Sequence, residues 1–263
     1  MIPKTIHYCW FGGKPKPELI EKCIASWRKF CPDWEIIEWN EDNWDISTYQ
    51  FAKAAYESKY WAYVSDVARL DVICKHGGVY LDTDVELLNP IDDLLDKGAF
   101  FFSETSRNIN SGMGFGAEKG HPAVQAMLDY YSDKTFSVTG KNKIPPCPAW
   151  NTAALVSRYP LFQRNGQTQR LENLTVFSGS VYARIGVHHS TGNWTGNKTS
   201  FQNDKRKYKA SKIKSFFRRP ECFNYIERHF GKTGVDIYTF LVYDLQEYGA
   251  NHYIQLITKR LSR

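Results

Sequence analysis

The chain has 263 residues, 42% hydrophobic and 15% aromatic, which is enough for one large α/β domain with an appendage. No run approaches the ~18 apolar residues of a membrane span, and no basic segment followed by an apolar stretch opens the chain, so neither a spanning helix nor a signal peptide is expected. The formal charge of +6 is uneven: residues 205–263 hold 13 Lys/Arg against 5 Asp/Glu, while residues 1–204 hold 21 against 23, so the basic excess describes the tail and not the body.

In chain order, "KTIHYCWF" reads as a first strand ended by Gly12-Gly13. "PELIEKCIASWRKF" follows with Leu19, Ile20, Cys23, Ile24 and Trp27 at helical spacing and Pro17 near its start. "WEIIEW" is a second short strand, and "QFAKAAYESKYWAYVSDVARLDVICKHGG" is mostly helical with Gly77-Gly78 as a stop. The strand "VYL" leads into Asp82 and Asp84; "AFFF" and "GMGFGAE" are further strands, and "HPAVQAMLDYYSDK" is a helix entered through His121-Pro122. "VYARIGVHH" has the alternation of a strand ending in His188 and His189, of which one is expected buried and one exposed. From about Lys205 the chain is basic and then amphipathic. The expected division is therefore a main α/β domain over 1–204 and a basic, mainly helical extension over 205–263.

Strands alternating with helices at this density predict an α/β domain with a mostly parallel sheet, whose ligands sit beyond the carboxyl ends of the strands. The six cysteines contain no C-x-x-C pair or zinc-like spacing, which predicts reduced thiols in a cytoplasmic setting. The sequons at Asn173, Asn193 and Asn197 carry little weight without a secretory signal.

The chemistry-bearing stretch is "HGGVYLDTDVELLNP", residues 76–90. On an extended backbone residues i and i+2 share a face, so Asp82 and Asp84 present two carboxylates together at a strand end. Two like charges that close call for a cation between them or a shared proton. Hard oxygen ligands in that pairing suit Mg²⁺ or Mn²⁺, which commonly bridges to substrate phosphates. The plain alternative is a turn cap at Asp82 and a solvated Asp84. Asp66 and Arg69 stand one helical turn apart upstream, either as part of a site or as an ordinary i,i+3 ion pair. Asn110 and Ser111 precede a Gly-rich strand, where they either bind a ligand or make a plain turn.

Taken in order, Ser65-Asp66, Arg69, Gly77-Gly78, Tyr80, Asp82 and Asp84 resemble the DXD-containing sugar-transferase family, glycosyltransferase family 32. That family includes yeast α-mannosyltransferases and bacterial capsule and O-antigen enzymes. The opening "IPKTIHYCWFGG" is similar to the family's first strand. "HHSTGNW" at 188–194 resembles its closing H-H-x-x-x-S-W motif, with Asn193 where Ser is usual. The resemblance runs from residue 2 to about 194 and does not reach the tail.

The resemblance implies a GT-A (Rossmann-like) fold, a nucleotide-sugar donor of uridine type, a divalent Mn²⁺ or Mg²⁺ cofactor, and transfer with retention of configuration. By the same implication Trp10 stacks on the base, and Asp66 and Arg69 contact ribose, sugar or phosphate. Tyr80, Asn110 and Ser111 belong to the donor site. Asp82 and Asp84 hold ribose and metal, Asp84 being the firmer metal ligand. His188 or His189 adds a metal or phosphate contact, with His188 preferred, and Trp194 contacts the donor phosphates. Asn193 could offer the cation an amide oxygen. Asp82, Asp84 and Arg69 form the expected catalytic set, and Glu104 is the carboxylate to watch near the donor. A hexose of galactose, glucose or mannose type would pass to a glycan or lipid-diphosphate-linked acceptor in surface polysaccharide synthesis.

Residues 205–219, "KRKYKASKIKSFFRR", carry eight basic residues and no acidic one, with Phe216 and Phe217 beside Ile213. Such a segment is expected to dock on an anionic membrane, placing the protein on the inner face of the plasma membrane. Two rival readings are weaker. A D-x-D phosphatase puts its aspartates on the first strand and needs a later Lys with an acidic pair, whereas here "IDDLLD" follows too closely. Nucleic-acid binding by the tail lacks any supporting motif, and the body is acidic, so no nucleic-acid partner is expected.

Overall fold

Burial in "TIHYC" is continuous from Ile6 to Cys9 because this strand lies inside a sheet with both faces covered. The structure is a computed structural model that describes residues 1–104, 107–137, 144 and 147–189. Strand β1 (Thr5–Cys9) is followed by α1 (Glu18–Phe30), β2 (Glu35–Trp39), α2 (Gln50–Glu57), α3 (Trp61–His76), β3 (Gly78–Tyr80) and β4 (Val85–Leu87). Next come β5 (Ala99–Phe102), β6 (Phe115–Ala117), α4 (Pro122–Asp129), α5 (Cys147–Arg158), β7 (Gln169–Leu171), β8 (Leu174–Phe177), α6 (Gly179–Ile185) and β9 (Gly186–His188). The main sheet has the order β2-β1-β3-β6-β5-β8-β7, and β4 with β9 forms a separate antiparallel ribbon. Strand β1 pairs in parallel with β2 and β3, as does β5 with β8; β6 runs antiparallel to both β3 and β5, and β7 antiparallel to β8. The expected α/β class is what the protein has.

Those directions decide what gathers at one edge. Strands β1, β3 and β5 end where β6 begins, so Trp10, Leu81–Asp84, Ser103–Glu104 and Asn110–Gly114 all emerge on the same side of the sheet. Period-2 alternation then sorts the strand side chains between two cores. Cys9, Tyr80, Ala99 and Phe101 face the helices α2 to α5, while Ile6, Tyr8, Val79, Leu81, Phe100 and Phe102 face α1 and α6.

Helix α3 is buried without a break from Asp66 to Ile73, so it has no solvent face to separate from an apolar one. Its three central charges must therefore be paired. Asp71 accepts from the Trp44 indole N–H (2.8 Å), the Tyr49 hydroxyl (2.7 Å) and Lys75 (2.8 Å), which ties the 44–49 segment to α3. The helix ends at Gly77 (φ 71°), and Gly78 (φ 104°) is needed for a second reason: a Cβ there would meet His7 Nε2 and the Thr5 carbonyl oxygen, each at 2.8 Å. The glycine pair is thus a packing requirement of β3 against β1. His7 itself is buried, bonded to the Gly77 carbonyl oxygen (2.9 Å) and accepting from the Trp39 indole N–H (3.0 Å).

The structure differs from the sequence reading in three respects. The long helical stretch breaks between α2 and α3, where Lys59 takes a left-handed φ of 63°. "VYARI" is helical rather than extended: it lies in α6, with Tyr182 packed edge-on against Phe102 at 5.0 Å, and only "GVH" forms a strand. Tertiary packing on β5 overrides the alternating pattern there. Strands β4, β7 and β8 and helix α5 lie in stretches whose local pattern did not single them out. No helix among the described residues is long and apolar enough to cross a membrane. The expected boundary at 204/205 and the basic segment 205–219 lie outside the described residues.

Candidate active site

Arg69 is the centre of the strand-end cluster. Its side chain is 4% exposed, and NH2 lies 3.1 Å from both Asp66 Oδ1 and Asp82 Oδ1. Its Nε donates to the Ser65 carbonyl oxygen at 3.0 Å, NH1 donates to Ser111 Oγ at 3.4 Å, and the guanidinium sits 5.0 Å from the Tyr80 ring centroid. The Tyr80 hydroxyl donates to the same Asp82 Oδ1 at 3.0 Å. The Asp66–Arg69 pair is therefore not a solvated helix-surface pair but the buried two thirds of an Asp–Arg–Asp triad that spans α3 and the end of β3, with Asp82 on its more open side.

Burial sets the electrostatics of this triad. It pushes the Asp66 carboxyl up to about 6, against the pull of Arg69 and with a push from Asp82. Asp82 is raised for the same reason, Arg69 opposing and Asp84 adding. Burial would lower the Arg69 guanidinium, but Asp82, Tyr80 and Asp66 outweigh it and keep it firmly charged.

Asp84 occupies a different environment. His188 Nε2 lies 3.2 Å from Asp84 Oδ1 and 4.0 Å from Asp82 Oδ2. One ligand atom from each of Asp82, Asp84 and His188 falls within 4.8 Å of the others, close enough for the three to hold a metal ion together. Pairing of β4 with β9 brings the histidine there, with Val85 opposite His188 and the His189 N–H donating to the Asp84 carbonyl oxygen at 3.0 Å. Two carboxylates and one imidazole, with Asp82 Oδ2 turned toward His188, are a donor set that fits a divalent cation.

His189, expected as an alternative ligand, is directed elsewhere. Its ring N–H donates to Glu86 Oε2 at 3.0 Å, and Glu86 Oε1 pairs with Lys22 at 2.7 Å. The last residue of β9 and the one after it thus take different partners, the His189 side chain being 1% exposed and that of His188 19%. Burial alone would raise Glu86, but the bonds from His189 and Lys22 pull it down to about 2.

The remaining expected residues are placed as follows. Asn110 Oδ1 accepts from the Gly112 N–H (2.8 Å) and its Nδ2 donates to Glu104 (3.0 Å), so Asn110 and Glu104 shape the turn beside Asp82. A Cβ on Gly112 would stand 2.6 Å from Asp82 Oδ2, so that turn can approach the carboxylate only as glycine. Ser111 is buried against Arg69. Trp10 shares the sheet edge but packs on the α1 face, its indole N–H donating to the Lys14 carbonyl oxygen (2.6 Å) and its ring 5.6 Å from the Lys16 ammonium. Asn193 and Trp194 lie outside the described residues.

Two members of the cluster had no signal in the sequence. Asn151, fully buried on α5, donates to Ser111 Oγ at 2.9 Å, and its Oδ1 is buried without a partner among the described residues. Cys147, at the start of the same helix, lies 3.9 Å from Arg69 NH1, and burial together with Asp66 keeps its thiol protonated. Both reach the site from some 40 residues downstream of Ser111, a separation no local pattern encodes.

Residues 17–101 match the family described as the glycosyltransferase sugar-binding region containing the DXD motif. Over 130 residues the chain is 33% identical to inositol phosphoceramide mannosyltransferase 3 of Schizosaccharomyces pombe, covering 46% of this chain and 35% of the yeast protein. It is 30% identical over 105 residues to the human α-1,4-N-acetylglucosaminyltransferase, covering 40% of this chain and 29% of that one. The chain therefore spans about a third of the length of these two relatives. Among solved structures, PaToxG glycosyltransferase is 21% identical with a TM-score of 0.49, covering 60% of this chain and 70% of that one. The segment that supplies Asp66, Arg69, Tyr80, Asp82 and Asp84 is the one that matches the sugar-binding region of DXD glycosyltransferases.

Proposed function

We propose that the protein is a metal-dependent, retaining glycosyltransferase of GT-A type, moving a hexose from a nucleotide sugar to a hydroxyl of a glycan or lipid-diphosphate-linked acceptor. The observation that carries this reading is the convergence of Asp82, Asp84 and His188 at the sheet edge, inside and beside the segment that matches the DXD sugar-binding region. The names of two relatives, one a mannosyltransferase and one an N-acetylglucosaminyltransferase, support a hexose-type donor without choosing the sugar.

Asp82, Asp84 and His188 would hold Mn²⁺ or Mg²⁺, which when bound supplies positive charge to the departing diphosphate. Arg69 cannot swing freely, because Asp66, Asp82 and the Ser65 carbonyl oxygen fix its plane; it adds a preorganised charge at the same place. Asp66 offers acceptor oxygens for sugar or ribose hydroxyls, and the Asn110–Gly112 turn closes one side of the donor. Trp10 flanks the edge where a base such as uracil would lie. Surface polysaccharide synthesis supplies the proposed setting, with residues 205–219 docking the protein on the inner, anionic face of the plasma membrane. Their eight basic residues and paired phenylalanines support that docking.

The test is to incubate the protein with Mn²⁺ and UDP-glucose, UDP-galactose or GDP-mannose and to measure nucleoside diphosphate and inorganic phosphate. Metal-dependent release of UDP or GDP is expected. Release of inorganic phosphate instead, or no release together with no thermal shift from any donor, overturns the proposal.

A further inference from the structure

The described residues hold a second polar chain that the proposed reaction does not use, running from α1 through β4 to His189, the residue after β9. Lys22 on α1 pairs with Glu86 Oε1 at 2.7 Å, and Glu86 Oε2 accepts from the His189 ring at 3.0 Å. The Glu86 side chain is 11% exposed and His189 1%, so this is an internal link with one end, Lys22, at the surface. Helix α1 grips β4 at two further points: the Trp27 indole N–H donates to the Val85 carbonyl oxygen at 2.7 Å, and the Leu87 N–H donates to Ser26 Oγ at 2.9 Å. Strand β4 is thereby fixed to α1, and α1 to the sheet.

Among the described residues, strand β9 is not part of the main sheet. It is three residues long, it follows directly on α6, and the described strand it pairs with is β4. Yet its last residue supplies the imidazole that faces Asp84. Three backbone pairs set the height of β9 beside β4, but a ribbon that short can twist and fray at its end. One residue beyond His188, the His189 backbone N–H donates to the Asp84 carbonyl oxygen at 3.0 Å, and the bond from the His189 ring to Glu86 adds a side-chain tie that closes that end.

We propose that Glu86, held by Lys22, is a positioning residue for the metal site: through His189 it fixes the end of β9 so that His188 faces Asp82 and Asp84. This rests on the reading of Asp82, Asp84 and His188 as metal ligands. Outer partners that orient a metal ligand commonly change metal affinity by about 10–100-fold when removed. Here the partner acts through the neighbouring residue's backbone rather than through the ligand's own ring.

The test uses the full chain without nucleotide, titrated with Mn²⁺ and followed by the loss of the free-ion electron paramagnetic resonance signal. Melting temperature is measured without metal in parallel. Glu86→Ala is expected to weaken Mn²⁺ binding about tenfold, with the metal-free melting temperature within about 5 °C of wild type. Glu86→Gln keeps an acceptor for His189 and is expected to fall between the two. If Glu86→Ala melts lower than that margin, Lys22→Met decides: its end of the chain is half-exposed, so it leaves the core intact. Weaker Mn²⁺ binding by folded Lys22→Met supports the proposal. Wild-type affinity in folded Glu86→Ala, or in Lys22→Met where Glu86→Ala is unstable, overturns it while leaving the metal site itself standing. Failure of the wild-type protein to take up Mn²⁺ overturns both.

Discussion

Arg69 NH2 and Asp82 Oδ1 lie 3.1 Å apart, with the guanidinium 5.0 Å from the Tyr80 ring centroid, so the first D-x-D carboxylate already has a cation partner within the protein. The second, Asp84, faces an imidazole instead. The two aspartates of one motif are thus prepared for different tasks. Replacing Arg69 by Met leaves the buried Asp66 and the partly exposed Asp82 with no cation between them, which should cost roughly 3 kcal/mol of stability. Adding Asp66→Asn to Arg69→Met should recover part of that loss. Urea unfolding of the single and double variants checks it, and additive losses would show that the three side chains do not act as a unit.

Asp84 gives the opposite balance. Asp84→Asn should leave the metal-free melting temperature within a few degrees of wild type yet weaken Mn²⁺ binding by about tenfold or more, because one of three ligands is lost. Sugar transfer should fall with it, and EDTA should abolish transfer by the wild-type protein. Calorimetric Mn²⁺ titration of the two proteins is the measurement; equal affinity removes Asp84 from the site.

Gly78 and Gly120 separate backbone strain from crowding. Both have positive φ, 104° and 69°, but a Cβ at Gly120 meets nothing within 4 Å while one at Gly78 strikes His7 and the Thr5 carbonyl oxygen. Gly120→Ala should cost roughly 1 kcal/mol. Gly78→Ala should cost that and a further 1–3 kcal/mol for overpacking against β1. Equal urea midpoints for the two variants would contradict the packing account of the Gly-Gly pair.

His7 should dominate part of the acid limb of stability. Burial lowers it from 6.5 to about 4, the Gly77 carbonyl oxygen opposing and His76 adding to the drop. Below pH 6.5 the unfolded chain takes up a proton that the folded one refuses, so stability is full above pH 6.5 and declines as pH falls toward 4. The limit is about 3 kcal/mol. His7→Gln should flatten that decline between pH 6.5 and 4 even if it is less stable at pH 7. An unchanged slope would show that other groups carry it.

Much of this was legible in the residues themselves. The α1 face of Leu19, Ile20, Cys23, Ile24 and Trp27 is the buried one, and Gly77 ends α3, because a 3.6-residue period and a left-handed cap are local signals. The D-x-D at the end of β3 was legible for the same reason. What brings His188 to it was not: α6 hides in a strand-like pattern, and β4 and β9 are three residues each and a hundred residues apart. Asn151 and Glu86 stayed silent because a buried polar side chain is recognised by its partner, and the partner lies elsewhere in the chain. The glycine pair before the motif was visible, but its cause, the His7 ring, was not.

Asp71 gives helix α3 a fixed roll angle. At 100° per residue it points about 140° away from Asp66, so the two carboxylates address opposite sides of one axis. Side-chain tips lie some 5–6 Å from that axis, and a roll of about 10° would carry the Arg69 guanidinium about 1 Å. A shift of that size is enough to cost a reaction about a hundredfold. Any such roll must also pull Asp71 from Trp44, Tyr49 and Lys75 together. The helix is keyed like a shaft in its bearing. Changes at Trp44 or Tyr49, which never touch the site, would then be felt as a misaimed Arg69.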